Sequence, residues 1–136
     1  MPEQYPARID VETLGCSVPV SPGQEALLLR VTDAPGAHIP PHTDPGVGVW
    51  VVNQGTIGFT VRQGETLITR AGSAASERLG SGSEVILNVG DAASFGPDNV
   101  HTSRNAGDAP AVILIGGVDA ERQPLVRPAG SAGASA

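Results

Sequence analysis

The chain has 136 residues, enough for one domain with a single core, and a net charge of −6 in which all eight basic residues are arginine. The absence of lysine excludes Schiff-base chemistry and PLP attachment, and the absence of a basic cluster leaves no electrostatic footprint for nucleic acid. Cys16 is the one cysteine, so neither an intrachain disulfide nor a cysteine zinc site can form.

In chain order, segment 1–25 reads as an N-terminal arm. Its first nine residues carry Glu3 and no apolar run, so no signal peptide is expected, and 11–14 offers at most one helical turn. Strands are expected at 26–32, 47–53, 56–62, 66–70, 84–89, 92–95, 100–104 and 111–116, with Gly/Asp/Asn/Pro punctuation between them. The segment 71–83 is small, polar and glycine-rich, and reads as a loop between two halves of a barrel. The end of the chain, 119–136, reads as a partly disordered tail. Closely spaced strands and high glycine (18) and proline (12) give one all-β barrel domain over 26–118. No apolar stretch approaches the ~20 residues of a transmembrane helix, so a cytoplasmic protein with no membrane partner is expected.

The chemistry gathers around two histidines. His42-Thr43-Asp44 puts an imidazole and a carboxylate at i and i+2, on one face of an extended segment. His101 follows the turn Gly96-Pro97-Asp98-Asn99 and begins another strand. If these strands lie side by side, two imidazoles and a carboxylate converge. That ligand set suits non-haem Fe(II) and also Mn, Ni or Zn. His38 is separated from His42 by Pro40-Pro41, which impose an extended path, and reads as a solvated histidine. Gly48 and Trp50 share the inward parity of Asp44, and Phe59 lies on the inward face of Ile57 and Val61. Gly48, Trp50 and Phe59 are therefore the expected pocket residues. Arg62, Arg70 and Arg104 read as solvated strand-edge charges, and Cys16 as inert. No G-x-S-x-G motif supports serine hydrolase chemistry.

These residues resemble the two motifs of the cupins. Gly36, His42, Asp44, Gly48 and Gly55 fall in register with the first, and Gly90, Gly96, Asp98, His101 and Asn105 with the second. The resemblance covers about 26–115. It implies a double-stranded β-helix barrel, a small-molecule pocket at its mouth, and a homodimer, as in many single-domain cupins. It also implies metal ligation by His42 and His101, with Asp44 where the family has a second histidine and Gly48 where it has a glutamate. A His-x-Asp…His set also occurs in 2-oxoglutarate dioxygenases, but no arginine lies about ten residues beyond His101 to hold that co-substrate.

Three functions stay open at this point. The first is a metal-dependent enzyme on a small organic molecule, with His42, Asp44 and His101 as ligands and no organic cofactor. The second is a metal-free isomerase or cyclase using His42 or His101 as general base. The third is a non-catalytic ligand-binding module.

Overall fold

The computed structural model describes residues 8–15, 18–43, 46–120 and 127–128. Thirteen strands run through them: β1 (Ile9–Thr13), β2 (Val18–Ser21), β3 (Gln24–Asp33), β4 (His38–Thr43), β5 (Gly46–Gln54), β6 (Ile57–Gln63), β7 (Thr66–Thr69), β8 (Ser76–Leu79), β9 (Val85–Leu87), β10 (Ala92–Phe95), β11 (Val100–Asn105), β12 (Ala111–Ala120) and β13 (Arg127–Pro128). Among the described residues no helix is long and apolar enough to cross a membrane.

The strands form two antiparallel sheets. The larger is ordered β1-β3-β12-β5-β10-β7-β8, with β2 also on β3; the smaller is β13-β4-β11-β6-β9. Each sheet turns one face inward because branched apolar residues recur with period two. On β3, Leu29, Val31 and Asp33 are buried while Leu28 and Gln24 are exposed. On β6, Ile57, Phe59 and Val61 point in and are essentially inaccessible. These inward rows meet as one core that includes Val31, Trp50, Val52, Phe59, Ile68 and Leu87.

Two glycines hold turns that other residues would strain. Gly55, between β5 and β6, has φ +81°, and a Cβ there would sit 2.9 Å from Ala111 Cα. Gly90 has φ +92°, and a Cβ would meet Ala71 Cβ at 2.8 Å. Asp91 beside it is a structural clamp. Its Oδ1 accepts from Ala71 N at 2.8 Å, and its Oδ2 accepts from Asn88 N at 2.8 Å and Arg70 Nη1 at 3.0 Å.

The architecture extends beyond the expected segments. The stretch read as an arm supplies β1 and β2, and Ile9 through Thr13 pair residue by residue with Asp33 through Leu29. The pattern Ile-Asp-Val-Glu-Thr is a short alternation, half-buried at Ile9 and Val11, that only a neighbouring strand completes. The stretch read as a loop, 71–83, contains β8, paired with β7. β12 is ten residues long and runs two residues, Asp119 and Ala120, into the expected tail, and β13 pairs with β4; the remaining tail residues and Cys16 lie outside the described residues.

Candidate functional site

His42 on β4 and His101 on β11 are direct cross-strand partners at the centre of the smaller sheet. Their rings meet edge to face with centroids 4.3 Å apart, and the residues are 5% and 3% exposed. The register between these strands shifts here: His101 opposes His42, whereas Ser103 opposes Ile39. One extra residue on β4, at Pro40-Pro41, makes a bulge that returns both Ile39 and His42 to the interior. Prolines suit that place because a bulge leaves a backbone position unpaired. The same irregularity turns His38 outward, where it is exposed beside Arg104. Arg104 is itself on the outer face, bidentate to Glu84 at 2.7 Å and 2.7 Å.

Each imidazole is held in one tautomer. His42 Nδ1 lies 2.9 Å from the Pro40 carbonyl, which can only accept, so Nδ1 carries the hydrogen. His101 Nδ1 lies 2.6 Å from Asn99 Oδ1. The Asn99 amide is oriented in turn: its Nδ2 donates to the Glu65 carbonyl at 2.9 Å and to Thr66 Oγ1 at 3.0 Å. Asn99 Oδ1 therefore faces His101 and accepts from it, leaving Nε2 as the basic nitrogen of both rings. Burial pushes the His42 pKa below its ordinary value, partly offset by the Pro40 hydrogen bond. Burial, and then the neighbouring His42, push His101 well below its own. Both rings are thus neutral at pH 7.

Aromatic rings enclose the pair. Phe59 and Phe95 stand 5.1 Å and 5.3 Å from His101 between centroids, and Trp50 packs on Phe59 at 5.4 Å. Trp50 and Phe59, expected in the pocket, do line the central cavity with both histidines. Gly48 does not. A Cβ at Gly48 would meet Phe95 Cζ at 3.1 Å, so the space expected beside it is filled by that ring. Gly48 instead borders an open groove of about 580 Å³ on the outside of the larger sheet.

Asp44 lies outside the described residues. Among the described residues, no group of three or more His, Cys, Asp or Glu side chains comes together to hold a metal.

The cavity itself is narrow, about 30 Å³, on the order of two waters. Its wall is apolar apart from His42, His101, Ser103, Asp33 and the indole N–H of Trp50. The sequence reading passed over Asp33, Asn99, Phe95 and Ser103. Asp33 stands at the boundary between a strand and the Asp33–Gly36 turn, where a carboxylate ordinarily caps a turn in solvent. Its inward parity with Leu29 and Val31 was the available signal. Asn99 had none, because its role depends on β7 passing alongside.

No family model and no curated protein matches the sequence. Solved structures do. A DMSP lyase structure superposes with TM-score 0.62 at 14% identity, over 93% of this chain and 55% of that one. An oxalate oxidase gives TM-score 0.60 at 18% identity, over 93% and 57%. A cupin 2 domain-containing protein from Halorhodospira halophila gives 0.56 at 17% identity, over 99% and 79%. The chain spans little more than half the length of the first two.

Proposed function

On a chain with the cupin barrel fold, shared with these structures, we propose that the His42–His101 pair is a divalent-metal site at which a small organic molecule is bound or converted, Asp44 being the third protein ligand. The observation that supports it is the pair itself: two neutral, buried imidazoles on adjacent strands, each with its Nδ1 hydrogen committed to a protein acceptor. Metal ligation requires a neutral imidazole whose ligating nitrogen is set by the hydrogen bond at the other. A metal bound there would supply Lewis acidity and an open coordination position for substrate. The chain's own contribution is separate from that. Asn99 and the Pro40 carbonyl fix the two tautomers, and Phe59 and Phe95 pack against His101 with Trp50 behind Phe59.

A second reading is favoured by Phe95, which occupies the volume beside Gly48 where a fourth ligand would stand. In it His101 acts without metal, as a general base, its depressed pKa keeping it unprotonated. Thermal shift with Fe(II), Mn(II), Ni(II) and Zn(II) separates the two. Under the metal reading at least one ion raises Tm at pH 7, His101→Ala and Asp44→Ala abolish the shift, and His38→Ala leaves it intact. No shift with any of the four ions overturns the metal reading and leaves the second.

The partner in this reading is a second copy of the chain. Leu28 and Val49, about half exposed at 46% and 52%, flank Gly116 in register on the outer face of the larger sheet, an exposed apolar strip that a second copy would cover.

A further inference from the structure

The same cavity contains a second polar group, on the other sheet from the histidines. Asp33 is 2% exposed and lines the cavity wall, and its Oδ1 is buried without a hydrogen-bond partner among the described residues. Its cross-strand neighbours, Ile9 and Ala111, offer it no side-chain donor. The nearest amide is already committed: Asn105 Nδ2 donates to the backbone carbonyls of Asp33 at 3.1 Å and Ala109 at 2.7 Å. Buried acceptors in folded proteins are almost always satisfied, since leaving one bare costs its full desolvation. Asp33 stands on β3 of the larger sheet and the histidines on the smaller one, and Ser103 of β11 also lines the cavity they share.

The polar lining is richer in acceptors than in donors. Asp33 brings a carboxylate, His101 a basic Nε2 and Ser103 a hydroxyl, against the single indole N–H of Trp50, and among the described lining residues there is no arginine. An anionic ligand has no counter-charge there. We propose that Asp33 Oδ1 is a ligand-contacting atom, accepting a hydrogen bond from the hydroxyl or primary-amine end of a small organic molecule. This rests on the reading that the cavity takes such a molecule, and it narrows the class from small organic molecules in general to alcohols and amines of few heavy atoms. Burial raises the carboxyl to about 6, so it is an ionised acceptor at pH 7.5.

The test is a methyl NMR titration of the full chain at pH 7.5, following Ile57 and Ile113, with methylamine, methanol and formate as probes sized to the cavity. Methylamine and methanol should move these methyls saturably, and formate should not. Asp33→Asn, which keeps the shape and removes the charge, should weaken methylamine at least tenfold. Asp33→Leu, which keeps no acceptor, should weaken both donors. Equal affinity in Asp33→Asn, formate binding as well as methylamine, or no saturable shift with either donor overturns the proposal. Zn(II) binding followed on the same samples keeps the two readings apart. Its absence removes the metal site while leaving the Asp33 result to stand, and its retention in Asp33→Asn shows that the histidine end is intact.

Discussion

Asp33→Asn is expected to stabilise the protein, and to do so more as pH rises. In the folded chain burial holds this carboxyl at about 6 instead of 3.8, so ionising it costs about 3 kcal/mol more than in the unfolded chain. Below 3.8 both states are protonated and the group contributes nothing. Between 3.8 and about 6 the unfolded chain releases its proton first, and the folded state loses stability as pH rises. Above about 6 the full penalty of about 3 kcal/mol applies, and replacement by the neutral isostere removes it. Urea denaturation of wild type and Asp33→Asn at pH 4, 5, 6 and 7.5 should show the difference between them widening by up to about 3 kcal/mol across that range, on whatever constant offset the new amide introduces. Contributions from the histidines are common to both proteins and cancel. A difference that stays flat with pH would refute the reasoning, because it would mean that the buried carboxyl ionises as easily folded as unfolded.

The histidine pair has the opposite sign. Both folded pKa values are lowered, so stability is fully present above about 6.5 and is lost as pH falls below it, and in the Asp33→Asn background Tm should decline steadily on acidification. Asn99→Leu should cost about 1–3 kcal/mol in urea denaturation, from the one donor and two acceptors left unpaired. In ¹⁵N NMR it should also release His101 from its single Nδ1–H tautomer, a change that lost packing alone would not produce. Gly48→Glu should destabilise by about 1–3 kcal/mol through collision with Phe95, and a Zn(II) titration should show no gain in affinity. Gly55→Ala should cost about 1–3 kcal/mol for a left-handed alanine, or more given the 2.9 Å approach to Ala111 Cα, measured by the shift in urea midpoint.

The period-two alternation of Val, Ile, Leu and Phe, broken by Gly and Asp turns, was enough to read an all-β barrel, the inward rows of β5 and β6, and the glycine-bearing turns. His42 and His101 were legible from the spacing of His42 to Asp44 on an extended segment, from the turn before His101, and from their register with the cupin motifs. What remained hidden depended on neighbours distant in the chain. β1 and β8 are short, half-polar strands whose identity comes from pairing with β3 and β7. Gly48 has the parity of a pocket residue, but its space belongs to Phe95, 47 residues later in the chain. The Pro40-Pro41 bulge that sends His38 outward and His42 inward is visible only as a register shift against β11.

The chain's own order of residues therefore determined which faces are apolar and which two imidazoles can meet. Tertiary structure decided what each polar group inside is able to do. A hydrogen bond donated to Asn99, itself held by β7, sets the His101 tautomer. The desolvation that raises Asp33 arises only once β1, β12 and the apolar wall close around it. Parity follows from backbone geometry within a few residues, whereas burial and hydrogen-bond partnership depend on contacts between strands that the linear pattern does not encode.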